Sequence, residues 1–573
     1  MYTRQAATTP YFDRLRLRFW LRGDLWPVAA GAIGLLVATP IIVVMSSLAT
    51  PSGEIWAHLW RTFLLELVWN TLVLIAGVGV GVLLLGTGLA WLVTMYRFPG
   101  RRLFEWLLIL PMAMPTYVIG FVFLAVFDYT GPVQHTWRWM FGPTVWFPDI
   151  ASAGGVVLVM TLVLYPYVYL LTRTGFSEHS ASTVEVARAL GLGELAVFWK
   201  VMLPLARPSI ATGLALALME ALADFGTVGI YGYSTFTVAI YRVWFGLFNR
   251  EAATELASVL LCFTFGLLIL ERYMRGRARF SQTEDRVRPT SPRLLVGWRA
   301  WAATAICGGV VTAAFLVPIA QLLYWTLATL GGPEADARYP VFLMNTLMLA
   351  AVTALIAVIA AVILTYGLRL SRSPILPYIV RFASMGYALP GSVIAVGVLI
   401  PLSFLDHTLD DFLRRSFGIS SGLLLTGSMG GLVFAYLVRF LAISSQTVEA
   451  SLVKIPPSMD MAARSLGTSP GGVLRRIHLP LLRGGLGCAA ILVFVDAMKE
   501  MPATLLLRPF GYDTLAVRIW QLTSESFWEA AALPALTIVA SGLLPVLLLI
   551  RRLPPAIMRS YAMQERCDEP PLS

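Results

Sequence analysis

The sequence contains few charged residues. Asp, Glu, Lys and Arg make up only 13% of its 573 residues, whereas 58% are hydrophobic and the mean hydropathy is +0.75. A soluble domain usually has about 25% charged residues, so a soluble globular protein of this length is excluded. Apolar runs long enough to span a bilayer as helices recur along the chain. The composition therefore predicts a polytopic membrane protein.

Lysine is also scarce. The three lysines are Lys200, Lys454 and Lys499, and none follows a glycine. No phosphate-binding Gly-Lys-Ser/Thr loop can therefore be formed, and ATP hydrolysis by this chain alone is not expected. The five histidines and four cysteines show no metal-ligand spacing, and no HExxH sequence is present. We predict that the chain is not an enzyme and carries no cofactor of its own.

The apolar runs predict an all-α fold of about twelve transmembrane helices. Open sheets are excluded because lipid cannot satisfy unpaired backbone groups. The predicted spans are residues 25–49, 63–95, 103–127, 152–172, 209–230, 253–271, 300–325, 343–369, 376–404, 422–446, 485–506 and 530–551.

The net charge of +11 follows the membrane topology and does not indicate nucleic-acid binding. Arginines cluster in every second connection between the predicted spans, as the positive-inside rule requires for cytoplasmic loops. Arg138 and the pair Arg414 and Arg415 are exceptions on the outer side. The distribution predicts a multi-pass protein with both termini in the cytoplasm.

The two halves of the chain are versions of each other. "EVARALGLGELAVFWKVMLPLARP" from Glu185 recurs as "MAARSLGTSPGGVLRRIHLPLLRG" from Met461, at an offset of 276. "NTLVLIAGVGVG" from Asn70 recurs as "NTLMLAAVTALI" from Asn345, at an offset of 275. The predicted organisation is a basic tail (1–24), a first repeat (25–271, with a special loop at about 181–208), a cytoplasmic linker (272–299), a second repeat (300–551, loop at about 456–484) and a C-terminal tail (552–573).

Each special loop is predicted to form a short helix, a glycine turn and a second helix. In the first loop Gly191 is the expected helix stop, Pro204 is expected to break the second helix, and Pro208 to open the next span. Ala187 and Ala189 have small side chains, so another protein could approach one surface of the first helix closely. A single copy would be read as an ordinary interfacial helix. Two copies at equivalent positions favour a docking element.

The pattern Glu-x-Ala-x-x-x-Gly, followed by Leu-Pro twelve residues after the Gly, resembles the coupling-loop motif of ATP-binding-cassette importer permeases. In that family the short helix lies in a cleft of the ATPase subunit. In the second loop Met461 replaces the expected Glu and Asp460 precedes it, so unequal loops are expected. The resemblance implies ATPase-coupling roles for Glu185, Ala187, Gly191, Leu203, Pro204, Ala462, Ala463, Gly467, Leu479 and Pro480.

The whole chain also resembles the fused, double-length permeases of ferric-iron importers. The most specific stretches are "MEALADFGTVGIYGYSTFTVAIYRVW" from Met219 and "KEMPATLLLRPFGYDTLAVRIW" from Lys499. The resemblance implies a type I importer permease in the bacterial inner membrane. Its implied partners are two copies of an ATP-binding subunit, which carry ATP and Mg, a substrate-binding protein on the outer face and membrane lipid.

Three other functions compete with this interpretation. Fused permeases for thiamine share the same layout. A secondary transporter would use intramembrane ionisable groups, but it would have no use for paired docking loops. A non-transport scaffold does not account for an in-register duplication.

Four carboxylates are the candidate substrate path. Glu220 and Asp224 follow the first coupling loop, and Asp496 and Glu500 follow the second at an offset of 276. Each pair has i, i+4 spacing and so lies on one helix face. Ionisable groups within a span usually face a cavity or a partner. The alternative is a structural role near the outer end of the span, with the carboxylates solvated or paired with Lys499, Arg242 or Arg508.

Overall fold

The computed structural model describes residues 25–49, 53–178, 181–275, 292–330 and 336–552. Both predicted tails and most of the predicted linker lie outside these ranges. Eleven helices in the described part of the chain are long and apolar enough to cross a membrane, and a shorter apolar stretch, Ala532–Leu547, occupies the twelfth position. The prediction of an all-α fold with about twelve spans is confirmed.

The spans are numbered in chain order. They are span 1 (Leu25–Ser47), span 2 (Leu64–Met95), span 3 (Arg101–Leu107, Leu110–Ala113 and Thr116–Phe127), span 4 (Ala153–Glu178), span 5 (Leu203–Ala223), span 6 (Arg250–Arg275), span 7 (Trp298–Val311, Thr312–Leu316 and Val317–Thr329), span 8 (Tyr339–Leu370), span 9 (Leu376–Ala383, Ser384–Ala388 and Gly391–Phe417), span 10 (Met429–Leu452), span 11 (Leu479–Lys499) and span 12 (Ala532–Arg552).

Shorter elements connect these spans. The connecting helices are Gly53–Thr62, Pro132–Phe141, Ala181–Ala189, Glu194–Val197, Phe198–Met202, Gly226–Ile230, Phe236–Tyr241, Arg242–Gly246, Pro457–Ser465, Pro470–Val473, Leu474–His478, Pro502–Leu507 and Leu515–Ser524. Two strands of two residues each, Tyr96–Arg97 and Arg293–Leu294, pair in parallel.

Several predicted spans differ from the observed helices where the chain breaks inside the membrane region. The predicted span 209–230 ends as a helix at Ala223, and a separate short helix, Gly226–Ile230, follows. The predicted span 485–506 is divided in the same way, at Lys499. Average hydropathy does not register these breaks because each has only one or two charged residues between longer apolar segments.

The internal repeat of the sequence is also a repeat of the helices. Spans 2 and 8 both have 32 residues and begin 275 positions apart, and spans 5 and 11 both have 21 residues and begin 276 positions apart. Equal helix lengths at a constant offset confirm that the chain is duplicated.

The first span of each half packs against the other half. Span 1 lies against spans 8 and 9, where Trp26 stacks edge-on with Tyr366 at 5.2 Å between ring centroids. Gly34 lets the same span approach Ile379, since a Cβ there would lie 2.8 Å from Ile379 Cγ2. Span 7 lies against span 3 of the first half, with Phe121 and Trp325 stacked, as well as against span 12 of its own half. The two sequence repeats therefore exchange their first helices, and this ties the halves together.

Candidate functional site: the coupling elements and the central cavity

Two short helical elements, named here the coupling elements, lie at the same end of the two halves. The first comprises residues 181–202 and the second residues 457–478. In each, a nine-residue helix ends just before a glycine with positive φ: Gly191 at +82° and Gly467 at +81°. Left-handed backbone is costly for residues with a Cβ, so glycine is favoured at both positions. The predicted helix stops are confirmed.

The turn from each coupling element into the following span differs from the prediction. Pro204 does not break the helix, because residues Phe198–Met202 form a π-helical turn that leads directly into Leu203–Ala223. The backbone N–H of Leu203 donates to the carbonyl of Phe198, five residues earlier. The wider turn leaves room for a proline, which lacks an N–H. Pro480 follows an equivalent turn, Leu474–His478.

Each coupling element exposes large apolar side chains. Leu190 and Leu466, which are equivalent in the repeat, are 78% and 86% exposed, and Trp199 is 61% exposed. Ala187 and Ala463 are buried, so the expectation that Ala187 lies on a thin contact surface is wrong. These alanines face the membrane domain, where small side chains allow the helix to pack closely. Ala462, Pro204 and Pro480 are exposed, whereas Leu203 and Leu479 are half-buried.

A buried polar cluster supports the second coupling element. Asp460 Oδ2 pairs with Arg369 Nε at 2.8 Å, and its Oδ1 lies 2.7 Å from His478 Nε2. Arg369 also donates to the backbone carbonyls of Leu452 and Ile455. Asp460 is therefore used internally and does not replace the acidic side chain missing at Met461.

Among its described side chains, the first coupling element shows no such cluster at the equivalent positions. The residues equivalent to Arg369, Asp460 and His478 are Thr94, Val184 and Met202, and all three are buried. Trp91 packs edge-on against Phe176 and Phe198 beneath this element. The expected inequality of the two loops thus extends to their supports, which are apolar in the first half and ionic in the second. Glu185 lies in the helix Ala181–Ala189, and its side chain lies outside the description.

The end of the linker is attached to the first coupling element. Arg293 Nη1 pairs with Glu194 Oε1 at 3.1 Å, and Arg188 Nη2 with Glu194 Oε2 at 3.2 Å. Burial and the Glu194 carboxylate beside it raise the pKa of the Tyr96 hydroxyl. The strand Arg293–Leu294 pairs with Tyr96–Arg97 beside these ion pairs. The linker therefore contacts the first coupling element directly as it enters span 7.

All four predicted path carboxylates line one central cavity between the halves. The cavity encloses about 130 Å³. Tyr387 donates to Glu220 Oε1 at 3.3 Å, and Lys499 Nζ lies 3.8 Å from Asp496 Oδ1. The repeat thus brings equivalent carboxylates together, as the common offset predicts. Within the described ranges, no three His, Cys, Asp or Glu side chains are placed to hold a metal ion.

The second carboxylate of each pair, Asp224 or Glu500, caps the short helix that follows it. Asp224 accepts hydrogen bonds from the Thr116 hydroxyl, from the Thr227 hydroxyl at 2.9 Å and from the Val228 N–H at 3.1 Å. Glu500 accepts one at 3.1 Å from the N–H of Ala503. Each carboxylate thus fixes the short helix that follows its break. Asp224 and Glu500 thus have a structural role, but they are buried and have partners other than the solvent, Lys499, Arg242 or Arg508 of the alternative, and Glu220 and Asp496 are left to face the cavity.

The cationic partner of Glu500 is a residue that the sequence reasoning missed. Arg439, in the middle of span 10, places Nε 3.0 Å from Glu500 Oε2. Of the partners considered earlier, only Lys499 contacts one of these carboxylates, and Arg508 pairs with Asp513. A single arginine in the apolar run "LVFAYLVRFLAIS" was the available signal, since a charge inside a span is rarely without function.

Comparison with known proteins shows which family the chain resembles. Residues 82–279 match the model of the family described as "binding-protein-dependent transport system inner membrane component". A Fe(3+)-transport system permease protein of Haemophilus influenzae, FbpB 2, is 29% identical over 528 residues, covering 90% of this chain and 96% of that protein. Over most of its length, the chain thus resembles the permeases of ATP-binding-cassette importers.

Other relatives match only one half of the permease. A sulfate transport system permease protein of Escherichia coli, CysT, is 29% identical over 259 residues, which is 42% of this chain and 88% of that protein. A molybdate/tungstate transport system permease protein of Thermococcus kodakarensis, WtpB, is 24% identical over 42% of this chain and 91% of that protein. The permease is therefore a fused, double-length member, and it is a multi-pass inner-membrane protein. Permeases of this family work with an ATPase and a substrate-binding protein.

Proposed function

We propose that the chain is the permease subunit of an importer for ferric iron. It would receive the ion from a substrate-binding protein on the outer face and would pass it between its two halves. Two copies of an ATP-binding subunit, which carry ATP and Mg, would dock at the two coupling elements. The observation that carries the proposal is the cavity between the halves, lined by four carboxylates.

The charge of the cavity favours a cation. Its lining contains four carboxylates against two cationic side chains, Arg439 and Lys499. Hard cations of high charge prefer oxygen ligands, and carboxylates supply them. Sulfate and molybdate, the anions named for some relatives, would be repelled by the same lining. The resemblance to the Fe(3+) permease over 90% of the chain also favours iron as the cargo.

The coupling elements support two ATPase contacts. Both expose a large leucine at the equivalent position, Leu190 and Leu466, beside a glycine that ends the helix. Exposed apolar side chains outside the spans favour a protein partner. Because the two elements belong to equivalent halves at the same end of the molecule, we infer one ATP-binding subunit for each. Coupling roles for Glu185, Ala187, Gly191, Leu203, Pro204, Ala462, Ala463, Gly467, Leu479 and Pro480 belong to this proposal.

Reconstitution tests the proposed cargo. The permease, its ATPase and its binding protein would be placed in proteoliposomes, and uptake of radioactive iron, sulfate and molybdate would be compared with ATP present and absent. We expect ATP-dependent accumulation of iron and none of either anion. Accumulation of sulfate or molybdate without iron would overturn the assignment, and uptake of iron driven by an ion gradient without ATP would indicate a secondary transporter.

A further inference from the structure

Arg439 is a buried cation inside an acidic cavity. Its side chain is 10% exposed, and it lines the cavity together with Glu220, Asp496 and Glu500. A positive charge fixed in the proposed path of a cation requires an explanation, because like charges repel in a medium of low dielectric constant. This arginine is therefore the feature of the cavity that a simple acidic path does not account for.

The arginine has no counterpart in the first half of the chain. The equivalent residue in span 4 is Val163, which lines the same cavity. Lys499 is equivalent to Ala223, so both cationic side chains come from the second half, whereas carboxylates come from both. The cavity is thus symmetric in its acidic groups and asymmetric in its basic groups.

The surroundings are shaped to admit the guanidinium. Gly391 takes the place that Thr116 has in the first half, and a Cβ at Gly391 would collide with Glu500 Oε1 and lie 2.9 Å from Arg439 Nη1. In the first half, the Thr116 hydroxyl bonds the equivalent carboxylate, Asp224. A neutral hydroxyl is therefore replaced by a glycine and a charged side chain that enters from another span.

Arg439 is held loosely for a buried arginine. Its Nε lies 3.0 Å from Glu500 Oε2, yet the Nε–H makes no hydrogen bond. Nη1 donates to the carbonyl of Leu389 at a long 3.5 Å. A guanidinium has five N–H donors and usually pairs with a carboxylate through two parallel bonds when the pair is structural. The geometry is a single contact with Glu500, which does not lock the guanidinium in place as two parallel bonds would, beside two further carboxylates, Glu220 and Asp496, that line the same cavity.

We propose that Arg439 is a resident counter-cation that sets the selectivity of the path. In the empty cavity it offsets the charge of Glu500, with which it pairs, and of Glu220 and Asp496, which line the same cavity. An arriving ion binds the carboxylates only if its attraction to them exceeds that of the single positive charge of Arg439. A trivalent ion does so more readily than a divalent one, because the attraction scales with ionic charge. The proposal rests on the proposed function, since it requires a cationic cargo.

The test compares Arg439→Val, which installs the residue of the first half, with Arg439→Lys, which keeps the charge. Binding to the purified full chain is followed by the rise in its thermal unfolding temperature. The probes are gallium(III), a redox-inert trivalent ion supplied from citrate, and Mg²⁺, with citrate alone as the control. We expect wild type and Arg439→Lys to bind gallium and not Mg²⁺. We expect Arg439→Val to bind gallium about tenfold more tightly and to gain binding of Mg²⁺.

Two results would overturn the proposal in different ways. Unchanged affinities in Arg439→Val would show that Arg439 is only a structural partner of Glu500, with the cation path intact. No gallium binding by wild type or any variant would contradict both this proposal and a cationic cargo. If Arg439→Val does not fold, the double variant Arg439→Gln with Glu500→Gln removes the pair together. It must also gain Mg²⁺ binding for the proposal to stand.

Discussion

At the scale of single residues, the four cavity carboxylates divide into two kinds. Asp224 and Glu500 cap the short helices that follow spans 5 and 11, whereas Glu220 and Asp496 face the cavity with few hydrogen bonds. The division follows from position, because the residue just after a helix break has free backbone N–H groups to accept from, and a residue one turn earlier has none. The i, i+4 spacing that defined each pair therefore joins one structural and one cavity-facing carboxylate.

This division gives a stability prediction for Asp224. Asp224→Ala leaves the hydroxyl of Thr116, the hydroxyl of Thr227 and the N–H of Val228 without their acceptor. We expect a loss of about 1–3 kcal/mol of stability, since buried donors without partners are costly. Thermal unfolding of the purified protein measures it, with the exposed Glu525→Ala as the matched control. An Asp224→Ala variant as stable as the control would show that the cap is unimportant.

At the scale of elements, the coupling elements depend on two glycines with left-handed backbone. Gly191→Val or Gly467→Val places a β-branched residue where φ is about +80°, at a cost of roughly 1–2 kcal/mol. Because a Cβ at either position meets open space, we expect the membrane domain to fold while the coupling element shifts. Transport should fall, and ATP hydrolysis should no longer respond to the loaded binding protein.

Gly266→Val is the control for this experiment. Gly266 lies in span 6, outside both coupling elements, has no left-handed φ and faces open space, so a side chain there does not clash. We expect normal transport from this variant. Equal transport by the Gly191, Gly467 and Gly266 variants would contradict a coupling role for the left-handed turns.

The unequal supports of the coupling elements give another prediction. Asp460→Val alone removes the carboxylate partner of Arg369 and His478, while Arg369 keeps its two carbonyl acceptors, and we expect a loss of about 1–3 kcal/mol. The first half supplies a neutral solution at the equivalent positions, Thr94, Val184 and Met202. The triple variant Arg369→Thr, Asp460→Val, His478→Met should therefore recover more than half of that loss in thermal unfolding. A triple variant less stable than the single one would show that the ionic support cannot be exchanged for the apolar one.

At the scale of the whole molecule, the exchange of first helices joins two repeats around one cavity. Because spans 1 and 7 cross to the opposite half, movement of one half relative to the other must carry a helix of its partner with it. The attachment of the linker at Glu194 adds a second connection on the side of the coupling elements. We therefore expect a displacement that begins at the first coupling element to move both walls of the cavity.

The orientation of the whole protein in the membrane is a further prediction. The arginine distribution places the linker, including Ser281, Glu284 and Asp285, in the cytoplasm. These three residues lie outside the part of the chain that the structure describes. Ser281→Cys, in a background without native cysteines, should react in intact cells only with a membrane-permeant reagent. Labelling by an impermeant reagent would reverse the topology.

Much of the architecture could be predicted because it depends on local pattern. Hydropathy located the spans, and the 275–276-residue offset identified the halves, the glycine turns and the convergence of four carboxylates. The breaks at Asp224 and Glu500 were missed because the apolar segments before and after these charged residues keep the average hydropathy high across each break. Other features depend on contacts between segments that are distant in the sequence. They are the burial of Ala187, the ion pair between Asp460 and Arg369, and the ion pair between Arg439 and Glu500. Such contacts leave no periodic signal in a single sequence.

The most direct test neutralises the cavity-facing pair, Glu220→Gln with Asp496→Asn, in the reconstituted importer. Both substitutions keep the size of the side chain and remove its charge, and neither residue caps a helix. We expect iron uptake to fall at least about tenfold, while the ATPase still responds to the iron-loaded binding protein. The exposed Glu525→Gln should transport normally. Unchanged iron uptake in the double variant would contradict the account that the cavity between the two halves is the path of the cation.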